Sequence, residues 1–375
     1  MKILVSAGEA SGDLYCSLLI NHLRAAGGES IEFFGCAGPR MRELGVRSVV
    51  DSEKLSVVGL VEVISHIPGI YLEFRKLVRA AREEKPKLAI LTDSPDFHLR
   101  LAKKLKKMGI PVVYLVAPQA WAWRKWRARA MARDLSQLYC IFPFEEPFFR
   151  KYGVPVRFIG HPLAKIIQPR VTASEFRIKH AFGEQPIVTL LPGSRLGEVG
   201  RHLEILIEAA RLINLETSVN LIWATPPGFG EKANLFDRQL AGSGIKVIEG
   251  ETWEAMAASR VVLAASGTVT MEAALLGAPI VSFYRVSPIS WNLGRWLVDV
   301  PHFTMVNLIA GERLVPELMQ NECTAPRIAE EALRLIEDGP VRSKMIAGLA
   351  RVSKELERPD DPLELAARHL RERFL

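Results

Sequence analysis

Short apolar strands alternating with amphipathic helices along nearly the whole chain restrict its fold more than any other feature. Residues 3–6, 31–34, 88–91, 112–116 and 138–142 read as buried strands, and a second series follows at 187–191, 219–223, 246–248, 261–264 and 280–283. Helical periodicity fills the gaps, most clearly at 11–25, 96–107, 197–213 and 268–276. This βαβα order implies parallel sheets with helices on both faces. At 375 residues the chain exceeds one ordinary core, since domains average about 150 residues. A Pro-bearing, apolar-poor stretch at 161–185 separates the two series, so the expectation is two doubly wound domains facing a cleft. Beyond Arg327 the chain reads as helical, broken at Gly339-Pro340 and at Pro359-Asp360-Asp361-Pro362.

Composition removes several classes. With 49% hydrophobic and 24% charged residues, long disorder and collagen-like repeats are excluded. No apolar run reaches the roughly 18 residues that a spanning helix needs. The closest, 261–284, is broken by Ser266-Gly267-Thr268, Glu272 and Gly277-Ala278-Pro279. The apolar start at Met1 meets Ser6-Ala7-Gly8-Glu9 too soon for a signal peptide. Cys16, Cys36, Cys140 and Cys323 lie far apart without zinc spacing, so neither disulfides nor a metal are expected.

The net charge of +7 is local. Ten cations and no acid lie between His98 and Arg133, and the rest of the chain would carry −3. Trp121, Trp123 and Trp126 fall in this stretch, which suits stacked nucleic acid, a lipid surface or a solvated helix face. The neighbouring residues 57–78 favour lipid over nucleic acid. Val57, Val58, Leu60, Val61, Ile64 and Ile67, then Phe74 beyond Pro68, suggest two short apolar helices meeting at Pro68-Gly69.

In open α/β sheets ligands gather at the carboxyl ends of strands. Loop one there carries Glu9, Ser11, Gly12 and Asp13, with Ser11 able to cap a helix. Loop two carries Asp93 and Asp96; a general base and a helix cap are both open for Asp96. Loop three, with Ser194 and Arg195, offers backbone amides, a hydroxyl and a guanidinium to phosphate. Loop four, Ser266-Gly267-Thr268, opens a helix with Glu272 one turn in, where a carboxylate can hold ribose hydroxyls. Loops three and four together point to a nucleotide. Neither the dinucleotide fingerprint nor a P-loop occurs.

These segments resemble one family in order across nearly the whole chain. Gly8-Glu9-Ala10-Ser11-Gly12-Asp13, Ser94-Pro95-Asp96-Phe97, Ala117-Pro118-Gln119-Ala120-Trp121-Ala122-Trp123-Arg124, Phe158-Ile159-Gly160-His161-Pro162-Leu163, Leu191-Pro192-Gly193-Ser194-Arg195 and Ser266-Gly267-Thr268 resemble the lipid-A-disaccharide synthases. So do Tyr284-Arg285, Asn307-Leu308-Ile309-Ala310 and Val315-Pro316-Glu317-Leu318. The resemblance implies a GT-B fold of two Rossmann-like domains, 1–165 for acceptor and membrane and 166–345 for the UDP-sugar, with helices 346–375 crossing back to the first. It implies an inverting transfer from UDP-2,3-diacylglucosamine to 2,3-diacylglucosamine 1-phosphate, without cofactor or metal, at the cytoplasmic face of an inner membrane. Nucleic acid is not an implied partner, and a homodimer is compatible with it. Asp96 resembles the family's base with Asp93 as fallback, Arg195 and the two helix starts would meet UDP, and Glu272 would hold the ribose. Asn307 and Glu317 match positions near the donor, and the 57–78 stripe matches the acyl-chain region.

Three departures stand out: Leu91-Thr92 for a Gly-Ile-like pair, His98 for Asn, and Val306 for Pro. Two other readings remain. One is a different GT-B UDP-sugar enzyme, such as a lipid GlcNAc transferase or a 2-epimerase. The other is a non-catalytic peripheral membrane-binding protein.

Overall fold

The computed structural model describes residues 1–25, 30–54, 60–122, 124–287, 291 and 300–375, with the side chains of 54 and 60–67 outside that description. The chain divides into two compact units, Met1–Pro162 with Leu356–Leu375, and Leu163–Glu355. The second unit thus runs on past residue 346, and the stretch belonging with the first begins at Leu356.

The first unit holds β1 (Lys2–Ala7), β2 (Glu32–Ala37), β3 (Arg47–Asp51), β4 (Leu88–Thr92), β5 (Val112–Leu115), β6 (Gln137–Cys140) and β7 (Val156–Phe158). They form one parallel sheet in the order β3-β2-β1-β4-β5-β6-β7. The second unit holds β8 (Ile187–Leu191), β9 (Asn220–Thr225), β10 (Ile245–Glu249), β11 (Val261–Ala265), β12 (Ile280–Tyr284) and β13 (Glu317–Met319). Its parallel order is β10-β9-β8-β11-β12-β13. Every residue of β4, β8 and β11 is buried, as expected of central strands covered on both faces. The periodicity missed β3, β7 and β13. All three sit at sheet edges; β3 and β7 are largely half-solvated, and β13 spans only three residues, which leaves little apolar signal.

Helices run close to the expected spans at Ala10–Ala25, Pro95–Lys107, Leu196–Glu216 and Thr268–Leu275. The region around Pro68 differs from expectation: a single helix, Leu60–Glu84, runs through it. Proline removes only one intrahelical bond, and packing downstream holds the helix on course. Leu77 and Ala81 are buried there, with Ile70, Phe74 and Val78 packed beside them. Val57 and Val58, and the side chains of Leu60, Val61, Ile64 and Ile67, lie outside the described residues. Among the described residues no helix is long and apolar enough to cross a membrane.

One buried carboxylate ties the start of the first unit together. Asp13 accepts the amides of Gly38, Arg40 and Met41 at 3.0, 2.9 and 3.2 Å, capping the helix Pro39–Glu43. Its loop-one position therefore serves architecture. Asp13→Ala leaves three amides, two of them buried, without their acceptor and is expected to cost about 3 kcal/mol. A lower urea midpoint, with hydrogen exchange rising first at residues 38–41, would show it.

Candidate active site

Strand order reverses twice, and each reversal brings two of the four loops together. In the first unit β1 pairs with β4, Ala7 opposite Thr92, so loops one and two leave adjacent strand ends. In the second, β8 pairs with β11, Leu191 opposite Ala264, which joins loops three and four.

At the first reversal Asp93 is the hub. Its carboxylate accepts the Gly8 amide at 2.8 Å and the Glu9 amide at 3.1 Å, just ahead of the helix Ala10–Ala25. Ser11 falls inside that helix's first turn, so the cap expected of it is not formed. A Cβ at Gly12 would overlap the Asp93 carboxylate, which is why this turn requires glycine. The Asp93 carbonyl accepts from the Tyr114 hydroxyl and from His98 Nδ1, the latter at 3.0 Å. A carbonyl can only accept, so His98 carries its proton on Nδ1 and takes the Ser6 hydroxyl on Nε2 at 2.7 Å. Burial holds His98 down to about 4, hence neutral, and pushes Asp93 up to about 8 against the pull of the two amides. Asp93 and Ser94 adopt left-handed φ of 52° and 36°, a strained conformation that this bonding sustains.

Asp96, by contrast, projects outward. Its side chain is 63% exposed in the first turn of Pro95–Lys107, where it makes no cap. The carboxylate accepts from Arg124 at 2.9 Å and from Arg127. In the sequence both guanidiniums counted as members of the basic run between His98 and Arg133. Trp121 turns inward, its indole donating to the buried Glu145 at 3.1 Å, whereas Trp126 is 66% exposed. Trp123 lies outside the described residues.

At the second reversal the turn 266–268 is exposed or half-buried ahead of the helix Thr268–Leu275. Glu272 is held by the Trp253 indole at 3.0 Å, and burial raises its pKa. In loop three the Ser194 amide reaches Glu198 at 3.3 Å, and Arg195 approaches the same carboxylate at 3.5 Å. Glu198 also accepts the Tyr284 hydroxyl at 3.1 Å. His202 links this loop to the strand end of β12: its Nδ1 donates to the Pro192 carbonyl at 2.6 Å, and Nε2 accepts the Arg285 amide at 3.1 Å. Nothing local in the sequence marks the long-range contacts of Glu198 with Tyr284 and of His202 with Arg285.

Asn307 and Glu317 are engaged as brackets. The Asn307 amide exchanges hydrogen bonds with the Val315 backbone at 2.8 and 2.9 Å, fully buried. Glu317 accepts from the Phe303 and Thr304 amides and the Thr304 hydroxyl. Among the described residues no three His, Cys, Asp or Glu side chains are grouped to hold a metal ion.

A family model described as lipid-A-disaccharide synthetase matches residues 3–360. The chain belongs to the lipid-A-disaccharide synthase family. A relative named lipid-A-disaccharide synthase from Solibacter usitatus is 57% identical, covering 95% of this chain and 93% of its own. A second, from Koribacter versatilis, is 42% identical over 95% of this chain and 94% of its own. Among solved structures, a UDP-GlcNAc 2-epimerase from Neisseria meningitidis superposes with TM-score 0.63 over 99% of both chains at 12% identity. MurG from Acinetobacter baumannii does so with TM-score 0.58 over 99% of both, also at 12%. These two likenesses show the shared GT-B fold alone. Whatever relatives carry at this position, His98 here bridges Ser6 and the Asp93 backbone.

Native Asp93, near 8, binds its proton more tightly than the unfolded carboxyl near 3.8. Its contribution to stability is therefore full below the unfolded pKa and is lost as pH rises through about 8. Denaturation midpoints across that window should fall more steeply with pH for the native sequence than for Asp93→Asn. Parallel slopes would refute the shift.

Proposed function

We propose that the chain joins UDP-2,3-diacylglucosamine to 2,3-diacylglucosamine 1-phosphate, giving the β(1→6) disaccharide 1-phosphate and UDP. The observation that carries this reading is the 57% identity, along 95% of the chain, to a lipid-A-disaccharide synthase. The acceptor's 6-hydroxyl oxygen attacks the donor's anomeric carbon. The bond from that carbon to the diphosphate breaks with its electron pair leaving on UDP, and the hydroxyl proton passes to a carboxylate. Inversion places that base opposite the leaving group.

Asp96 suits the base better than Asp93. It is exposed to an incoming ligand, whereas the Asp93 oxygens are engaged by backbone amides and burial keeps its proton on until about pH 8. In the second unit, Arg195 and the helix starts at Ser194 and Ser266-Gly267-Thr268 meet the charge developing on UDP, without a metal. Glu272 then holds the ribose. UDP release in detergent without added metal, with and without acceptor, tests the scheme. Asp96→Asn should lower acceptor-dependent release by about 100-fold or more. Release that survives in Asp96→Asn but not in Asp93→Asn would move the base to Asp93, and no release by folded wild type would sink the reaction.

A peripheral seat on an anionic membrane accompanies this reading. Arg100, Lys103, Lys104 and Lys107, spaced along one face of Pro95–Lys107, line with Phe74 a groove of about 330 Å³. Tyr71 and Leu72 stand 58% and 57% exposed on the helix that carries Phe74. Each cation near such a surface contributes about 1 kcal/mol. Sedimentation with anionic phospholipid vesicles should therefore weaken about tenfold or more in Lys103→Glu/Lys104→Glu. Unchanged binding would remove this surface.

A further inference from the structure

We propose that Arg124 and Arg127 form the receptor for the acceptor's phosphomonoester, and that seating it frees Asp96 from its ion pairs; this rests on the transfer reading above. Two guanidiniums converge on one carboxylate: Arg124 Nη1 lies 2.9 and 3.3 Å from the two Asp96 oxygens, and Arg127 donates to the first of them. The arginines and the acid differ in depth. The Arg127 side chain is 7% exposed, while the Asp96 side chain is 63% exposed. A guanidinium in so dry a place needs an anion, and Asp96 supplies one in this arrangement.

The proposed reaction disturbs that arrangement in two ways. A carboxylate shared between two guanidiniums must loosen at least one pair before it can accept a hydroxyl proton. Once it has the proton it is neutral, and the charge it offered both arginines is gone. An anion arriving with the acceptor meets both demands. A phosphomonoester carries about −1.5 to −2 charge and three acceptor oxygens, enough to engage both planar forks while one oxygen stays solvated. Arginine suits that task because its fork matches phosphate oxygens two at a time. Arg124 itself stands at a left-handed φ of 58°, a strained backbone in the loop 124–126 just ahead of the helix Arg127–Asp134.

A purely structural role, pinning that loop to Pro95–Lys107, is the competing account. The two differ in what they do to acceptors with and without phosphate. The experiment measures kcat and KM for UDP release with 2,3-diacylglucosamine 1-phosphate and with 2,3-diacylglucosamine, using wild type, Arg124→Gln and Arg127→Lys. Wild type should prefer the phosphorylated acceptor by about 100-fold in kcat/KM, the worth of a charge-assisted pair on two arginines. Arg124→Gln should cut that preference by about tenfold or more, chiefly through a higher KM for the phosphorylated acceptor. Arg127→Lys, which keeps charge and loses the fork, should cut it as well. Arg124 is the more exposed of the two, so its variant keeps the test valid if Arg127→Lys fails to fold. Equal losses on both acceptors, or an undiminished preference, would overturn the phosphate role while leaving the transfer intact. Absence of release with either acceptor in wild type would overturn the transfer reading and this one with it.

Discussion

A parallel sheet can reverse its strand order only by sending successive crossovers to opposite faces, and at the reversal the covering helices part. The carboxyl ends of the two strands there are left facing an opening, which is why ligands collect at such points. Both sheets here reverse once, between β1 and β4 and between β8 and β11. Loops one to four each follow one of those four strands, and the arginines that meet Asp96 come from the stretch after the next strand, β5. The remaining architecture, from buried central strands to the helices of the C-terminal stretch, keeps those ends in register. The helix Pro362–Phe374 packs on Ala10–Ala25, behind loop one, and Ala325–Ile336 packs on Leu196–Glu216, behind loop three.

Asp93 shows what holding such an opening costs. Two consecutive non-glycine residues take left-handed φ at this strand end. Conformations of this kind cost on the order of 1 kcal/mol or more apiece and persist only where surroundings over-determine them. The surroundings do so from two sides. The carboxylate is gripped by amides from the neighbouring strand's loop, and the carbonyl by a tyrosine and a histidine. With burial added, the side chain favours its protonated form near neutral pH, and the neutral His98 fits the same dry setting. The hub is thus built for rigidity, and Asp96, three residues on, stands exposed beside it.

Much of this was legible in the chain. Buried strands announce themselves as apolar runs, and glycine, serine and aspartate immediately after such a run mark a strand-to-helix turn whatever the fold. Four loops could therefore be named before their pairing was known. What escaped was whatever depends on partners distant in sequence or on weak patterns. The edge strands β3 and β7 bury too little to be periodic, and β13 at three residues is too short to show a period. Proline at 68 reads as a break, yet packing of Leu77 and its neighbours carries the helix through. His202 and Arg285 are 83 residues apart, and nothing local says that one accepts the other's amide. Arg124 and Arg127 read as two charges in a basic run until Asp96 is seen between them.

Saturation separates the polar residues that build the site from those free to act in it. Asp13 spends its oxygens on three amides, Asn307 closes a two-bond ring with Val315, and Glu317 gathers a loop. A side chain so occupied cannot take on a ligand without surrendering structure. Asp96 is bound differently, by side chains alone, and at the surface. Its pair with the half-exposed Arg124 is of the kind that contributes little to stability, whereas the buried Arg127 requires an anion at that place without requiring that it be Asp96. Residue identity cannot make this distinction, since Asp13, Asp93 and Asp96 are one amino acid in neighbouring loops. Accounting for each lone pair can, and it leaves Asp96 with its two arginines as the part of the first unit most open to chemical change.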